Sequence, residues 1–131
     1  MKKAGGNVFA YTADLADMAD CDRLVKTVLD EHGHVDVLIN NAGRSIRHSI
    51  ELSYDRFHDF ERTMQLNYFG SLRLIMGFLP KMTERRKGHI INISSIGVLA
   101  NSPRFSAYVA SKAALDAFSR CAASAPSTCR W

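Results

Sequence analysis

Apolar runs of two different periods alternate along the chain with polar, turn-forming segments. Short runs rich in β-branched residues occur at 7–12 (NVFAYT), 35–40 (VDVLIN) and 88–94 (GHIINIS), and they predict strands. Longer segments carry apolar residues at helical spacing, and they predict helices over about 18–32, from 53 to 80, and over about 105–121. Strands that alternate with helices indicate an α/β fold with a parallel sheet.

Capping residues and proline set the expected ends of the first two helices. Asp17 stands where an N-cap belongs and Gly33 where a C-cap belongs. Ser53 is expected to cap the second helix. Pro80 is expected to terminate it, because proline supplies no backbone N–H to the helix.

Length and composition describe a single folded domain over residues 1–131. Of the 131 residues, 47% are apolar and 23% charged, which excludes disordered and fibrous classes. The longest apolar run, 71–80, contains Arg73 and is shorter than the roughly 20 residues that cross a bilayer. The basic start is followed by Gly5 and Gly6 rather than by a long apolar run. These features predict no transmembrane segment and a cytoplasmic protein.

Charge, cysteine and histidine usage argue against two further classes of site. The net charge is +4, but the basic residues are scattered, and their one cluster, 81–87, follows a predicted helix, so nucleic-acid binding is not expected. The three cysteines are odd in number, and neither they nor the five histidines have the spacing of metal ligands. We therefore expect reduced thiols and no metal.

The clearest chemical signal is a tyrosine and a lysine four residues apart in the last predicted helix. Tyr108 and Lys112 project from one helix face, where a neighbouring ammonium stabilises a phenolate and makes the phenol a usable acid or base near neutral pH. An exposed tyrosine and lysine also produce this spacing by chance. The pair therefore indicates a catalytic site only if other motifs in the sequence accompany it.

Three further segments of the chain supply polar groups that could act with Tyr108 and Lys112. Ser95 follows the predicted strand 88–94, at the sheet edge where open α/β folds bind ligands. The segment Asn41, Ala42 and Gly43 follows strand 35–40 at the same edge, although these residues also suit an ordinary turn. Asn67 is an unfavourable choice inside a helix, unless it simply faces solvent.

Together these motifs resemble the short-chain dehydrogenase/reductase family. NNAG after a buried strand, LNYFG, NISS at the end of the next strand and YVASK in the following helix form an ordered set that spans residues 6–123. The resemblance implies a Rossmann-type, doubly wound parallel sheet. It also implies a catalytic tetrad in which Tyr108 exchanges a proton with the substrate, Lys112 lowers the phenol pKa and binds ribose, Ser95 polarises the substrate oxygen and Asn67 holds a water.

The same resemblance implies a nicotinamide dinucleotide cofactor, either NADP or NAD. Asp14 and Leu15 would contact the adenine, while Asn41, Ala42 and Gly43 would line the adenosine ribose. The amino-acid sequence around the motifs is most similar to that of the reductase domain of bacterial fatty acyl-CoA reductases. That similarity slightly favours NADP and adds an acyl thioester or aldehyde to the carbonyl substrates expected.

Two departures from the family pattern indicate a fragment. No TGxxxGxG motif occurs in the sequence, so we expect a partial fold that lacks the first two strands, the pyrophosphate-binding turn and the C-terminal strands. Residues 124–131 (SAPSTCRW) fit neither period and form an aberrant tail. In the family strand order, 3-2-1-4-5-6-7, the segment 7–12 is then left without its neighbours.

Two functions remain open at this point. The first is an oxidoreductase that transfers hydride to a carbonyl through the Tyr, Lys, Ser and Asn tetrad. The second is an inactive fragment that only associates with related subunits. The resemblance also implies a homo-oligomer, with Phe69, Ile75 and Met76 expected at a subunit contact.

Overall fold

The computed structural model describes residues 5–124, and its helices and strands alternate in the predicted order. The elements, in chain order, are α1 (Met18–His32), β1 (Val37–Asn40), a 3₁₀ turn (Ile50–Leu52), α2 (Phe57–Met64), a π-helical segment (Gln65–Gly70), α3 (Ser71–Glu84), β2 (His89–Asn92), α4 (Gly97–Ala100) and α5 (Ser106–Ser124). The α/β class is confirmed. The predicted tail lies outside the described residues, apart from Ser124, which ends α5.

Helix α1 has the bounds and caps that the sequence predicts. The Asp17 carboxylate accepts hydrogen bonds from the backbone N–H groups of Ala19 and Asp20, which have no partner within the helix. Gly33 closes the helix with φ of 75°, and its N–H donates to the Leu29 carbonyl. Cys21 and Val25 face the interior.

The sheet of the described residues has two parallel strands, β1 and β2. Val37 pairs with His89 and Asn40 with Asn92, so both strands end at the same edge. The predicted strand over 7–12 is wrong, because that segment has no ladder partner and stays irregular. The other two strands are shorter than predicted, at 37–40 rather than 35–40 and 89–92 rather than 88–94.

One continuous helical stretch replaces the predicted helix from Ser53 to Pro80, and both predicted ends are wrong. Ser53 instead follows the 3₁₀ turn, where its hydroxyl donates to the Ser49 carbonyl, and the stretch begins at Phe57. Pro80 lies inside α3, which continues to Glu84. The last turn persists because Met82 is fully buried in the core and holds it in place.

The last helix is slightly longer than predicted, at Ser106–Ser124 rather than 105–121. The short helix α4 between β2 and α5 was not predicted from the sequence. Asn101, which has φ of 49°, caps its C-terminal end. Ser95 lies in the loop between β2 and α4, just beyond the C-terminal end of β2.

The core lies between α1, α3 and one face of the sheet. Its buried residues are Cys21, Val25, Leu74, Ile75, Phe78, Met82 and Ile90. Ile75 therefore belongs to the core and not to the subunit contact that the sequence suggested, while Phe69 and Met76 remain about half exposed. No helix in the described part of the chain is long and apolar enough to span a membrane.

Candidate active site

Tyr108 and Ser95 line the same small pocket beside the end of β2. Both side chains are half-buried, and the pocket of about 140 Å³ is otherwise lined mainly by Ile96, Phe105 and Val109. The Ser95 hydroxyl accepts a 3.2 Å hydrogen bond from the backbone N–H of Gly97, which fixes its position. A phenol and an oriented hydroxyl therefore face one mostly apolar space.

Asn67 is fully buried within the π-helical segment and holds two other parts of the chain. Its side-chain oxygen accepts from the Arg44 N–H at 2.7 Å, and its amide donates to the Arg44 carbonyl at 2.8 Å and to the Ser111 hydroxyl at 2.9 Å. A solvent-facing role is thereby excluded. The π turn, a form often found at functional sites, is where this amide leaves the helix.

Ser111 connects Asn67 to the tyrosine helix. Its hydroxyl donates to the Tyr108 carbonyl at 2.7 Å while it accepts from Asn67. Sequence reasoning assigned Ser111 no role, although it lies within the YVASK motif and three residues after the tyrosine. The backbone of Arg44 was missed as well, because only the fold brings it to Asn67.

Lys112 is almost entirely buried, with 4% of its surface exposed. Its ammonium donates to the Ile93 carbonyl at 2.7 Å, just beyond the end of β2. Gly43 lies against the same lysine, since a Cβ added there would come within 3.5 Å of Lys112 Nζ and 3.3 Å of Asn67 Oδ1. The absent side chain leaves this approach to the lysine open.

The residues expected at the adenine and ribose are partly brought together. Leu15, Asn41 and Ala42 line one cavity of about 90 Å³ beside the end of β1. Asp14 is not among its lining residues: its carboxylate accepts from the Ala16 N–H at 2.9 Å, and its own N–H donates to Asp20. The structure thus gathers Leu15 with Asn41 and Ala42, and it leaves both Asp14 and Gly43 out of the lining of this cavity.

A buried carboxylate ties the loop that follows Gly43 to α2. Asp59 is 2% exposed and accepts hydrogen bonds from Arg56 Nε at 2.9 Å and from His48 Nδ1 at 3.2 Å. Burial by itself would raise the pKa of Asp59. The hydrogen bond from Arg56 and the charges of Arg56, Arg62 and His58 outweigh it and hold this pKa below its ordinary value.

Within the described residues, no group of three or more histidine, cysteine, aspartate or glutamate side chains is arranged to hold a metal ion. What the site does offer is a phenol, a hydroxyl, a buried ammonium and a buried amide. These four groups lie on α5, on the loop after β2 and in the π segment, and Ser111 links two of those elements. They are suited to proton exchange beside a polarised oxygen.

A comparison of the sequence with known protein families identifies the group to which this arrangement belongs. The profile described as short chain dehydrogenase matches residues 1–128. The chain belongs to the short-chain dehydrogenase family. The partial, doubly wound α/β fold expected from the sequence agrees with this assignment, since β1 and β2 are adjacent as the fourth and fifth strands of that order would be.

Individual relatives agree with the family assignment. A fatty acyl-CoA reductase of Acinetobacter baylyi is 62% identical over 121 residues, which are 92% of this chain and 41% of that protein. A metagenomic short-chain oxidoreductase solved in complex with NADP is 30% identical, with a TM-score of 0.86 over 93% of this chain and 55% of that one. An NAD⁺-bound xylitol dehydrogenase is 26% identical, with a TM-score of 0.85 over 93% and 46%. The chain therefore spans less than half the length of the reductase.

Proposed function

We propose that this chain carries the proton-transfer half of a nicotinamide-dependent oxidoreductase that reduces a carbonyl group or oxidises the corresponding alcohol. The observation that carries the proposal is the shared pocket of Tyr108 and Ser95. In it, the Ser95 hydroxyl holds the substrate oxygen and the Tyr108 phenol gives or takes the proton. The apolar lining keeps water from competing for either group.

Lys112 on α5 and Asn67 in the π segment support the phenol. Lys112 follows Tyr108 by four residues, and its ammonium donates one hydrogen bond to Ile93, which leaves two donors for the phenolate and for a ribose hydroxyl. Asn67 acts through Ser111, which holds the Tyr108 carbonyl. We assign these two residues to the tetrad in supporting roles, and Asn67 would also hold a relay water.

The edge at the ends of β1 and β2 fits the ribose and nicotinamide side of a dinucleotide. Gly43 presents no side chain in front of Lys112, so a flat ring or a ribose can approach the ammonium. Leu15, Asn41 and Ala42 line the adjoining cavity, and Asp14 precedes Leu15 in the chain. When bound, NADPH or NADH would supply the hydride for reduction, and NADP⁺ or NAD⁺ would accept it in the reverse reaction. The NADP-bound and NAD⁺-bound relatives support both cofactors, and the reductase relative makes NADP our first choice.

A chimera tests the proposal. The 121 matched residues of this chain replace their counterparts in the Acinetobacter reductase, which supplies the rest of the fold. In that background Tyr108→Phe removes the proton donor and is expected to reduce kcat by about 10² to 10⁴ without weakening NADPH binding. Tyr54→Phe, at an exposed tyrosine, is the matched control. A Tyr108→Phe chimera that keeps turnover within about threefold of its parent overturns the role of the phenol.

The isolated 131-residue chain provides a second arm. Its sequence contains no glycine-rich TGxxxGxG turn, the element that donates backbone hydrogen bonds to a pyrophosphate at a helix N-terminus. We expect no saturable heat when the chain is titrated with NADPH or NADH at micromolar concentration, and clear binding by the chimera. Saturable binding by the isolated chain would indicate an intact cofactor site, whereas no binding is what the alternative function, association without catalysis, predicts for this chain.

A further inference from the structure

A groove continues from the pocket of Tyr108 and Ser95 along α5. Ser102 and Val109 line both that pocket and a larger cavity of about 420 Å³, so the two spaces lie side by side along α5. The larger cavity has a volume within the range of small-molecule sites. Ile50 lines it and is 57% exposed, and Ile96 at the other end is 76% exposed. The groove offers exposed apolar surface next to Tyr108 and Ser95.

The arginines near this groove differ from most others in the chain. Among the described residues, six arginines form ion pairs with aspartates: Arg23, Arg56, Arg62, Arg73, Arg85 and Arg120. Arg47 and Arg104 have no such carboxylate partner in that part of the chain. Arg104 lines the larger cavity, and the guanidinium of Arg47 lies 5.9 Å from the centre of the Phe105 ring, which lines the Tyr108 pocket.

Among residues 5–124, no acidic side chain lines either part of the groove. The carboxylate of Asp59 lines a small adjoining void with Arg104. It is buried and already bound by Arg56, Arg62 and His48. The two guanidinium groups are therefore available to a ligand, since their charge is not neutralised by the protein.

We propose that this groove selects substrates that combine an apolar chain with an anionic group, and that Arg47 and Arg104 recognise the anion. The apolar chain lies along Ile50, Val109 and Pro103, while a phosphate or carboxylate meets the guanidinium groups. This inference rests on the proposed function, because the groove is a substrate site only if Tyr108 and Ser95 act on the substrate beside it. It adds two specificity-determining residues that lie outside the tetrad.

Binding of simple amphiphiles to the 131-residue chain tests the proposal without requiring catalysis. Decyl phosphate, decanoate and decanol share one apolar chain and differ in the headgroup, and titration calorimetry measures their affinity. We expect both anions to bind more tightly than decanol. Arg104→Gln and Arg47→Gln are each expected to weaken the anions about fivefold and to leave decanol unchanged. The difference between phosphate and carboxylate identifies the preferred anion.

Matched controls separate recognition from a general charge effect. Arg86 is also exposed, also lacks a carboxylate partner among the described residues and also has positive φ, at 51° against 69° for Arg104, but it lines no part of the groove. Arg86→Gln should leave all three affinities unchanged. Ile50→Glu should weaken every probe, while Leu52→Glu, at an exposed residue that does not line the groove, should weaken none.

Three results overturn the proposal: no saturable binding of the anions, equal binding of decanol and decyl phosphate, or losses in Arg86→Gln that match those in Arg104→Gln. Tyr108→Phe distinguishes this proposal from the proposed function, since it should keep amphiphile binding. If that variant keeps turnover in the chimera while Arg104→Gln still weakens the anions, the proton-transfer role fails and the anion site remains. If Tyr108→Phe loses turnover in the chimera but the anions bind no better than decanol, the proton-transfer role remains and the anion site fails.

Discussion

The helical side of this molecule, which consists of α3, the π segment and α5, differs from its sheet in how completely its side chains are buried. Where the π segment meets α5, Asn67 and Ser111 are fully buried and Lys112 is 4% exposed, although all three are polar. On β1, the apolar residues Val37 and Ile39 are 48% and 58% exposed. Polar side chains are inside and apolar side chains are outside, which reverses the usual distribution in both places.

The reason lies in how each kind of structure is satisfied. A helix makes its backbone hydrogen bonds within itself, so α3, the π segment and α5 need no backbone partner from another element and can bury side chains wherever they pack. A parallel strand needs a neighbour on each side and a covering layer on each face. The two strands described here have each other and one covered face. The helical side can therefore hold the candidate catalytic groups in place while the sheet remains open.

The largest contrast is expected from the same truncation on neighbouring strands. Ile90→Ala removes a side chain that is 2% exposed and should lower the free energy of unfolding by about 2 to 5 kcal/mol. Ile39→Ala should change it by less than about 0.5 kcal/mol, because that side chain already meets solvent. Urea unfolding followed by circular dichroism measures both. Equal losses would show that the outer face of β1 is covered.

Asn67→Ala should be the next most damaging change. It leaves the backbone N–H and carbonyl of Arg44 and the Ser111 hydroxyl without their partner in a buried place, at a cost of about 3 kcal/mol. Asn41→Ala, at an exposed asparagine of the NNAG segment, is the matched control and should stay within about 0.5 kcal/mol. If both variants have the same urea midpoint, the Asn67 network does not stabilise the fold.

Gly70→Ala probes the close contact between the π segment and the chain before α1. A Cβ at Gly70 would lie 2.2 Å from the Leu15 carbonyl oxygen, so backbone must move, and a loss of about 1 to 3 kcal/mol is expected. Gly43→Ala meets only the ends of side chains, at 3.3 Å and beyond, and should lose less. Thermal unfolding compares the two. A Gly43 variant that is the less stable of the pair contradicts this ranking.

The smallest effect concerns acid sensitivity. Because the folded pKa of Asp59 lies below its unfolded value, its carboxylate stabilises the fold above pH of about 4, and that contribution is lost as pH falls through the folded pKa. Asp59→Asn should therefore lose stability at neutral pH and show a shallower decline in urea midpoint on acidification. Asp55→Asn, at an exposed residue, should follow the wild-type curve. An unchanged acid decline in Asp59→Asn would mean that another group controls it.

Much of this structure follows from the sequence. The features that the sequence did not predict have one cause in common, which is their dependence on tertiary contacts. The bounds and caps of α1 were predicted correctly, because Asp17 and Gly33 act on their own neighbours. The end of α3 was not, since Pro80 suggests a stop while tertiary burial of Met82 extends the helix. The segment 7–12 has strand-like composition, but a strand also requires a partner that no local pattern reveals.

The same distinction holds for the candidate site. Tyr108, Ser95, Lys112 and Asn67 stand out because motif order marks them, and the structure gathers them in pairs around α5. The contact of Asn67 with Ser111 and with the Arg44 backbone joins residues up to 44 positions apart, so spacing alone gives no sign of it. The exposure of Asp14 outside the cavity of Leu15 depends on local hydrogen bonds to Ala16 and Asp20, which the motif does not encode.

Hydrogen exchange of the 131-residue chain, followed by mass spectrometry, tests most directly whether the helical side is closed while the sheet is open. Peptides from the π segment, α3 and α5 are expected to exchange at least about tenfold more slowly than peptides that cover residues 5–16 and β1, because buried hydrogen bonds open only with the core. Equal protection in the two sets, or slower exchange in β1 than in α5, would contradict the account.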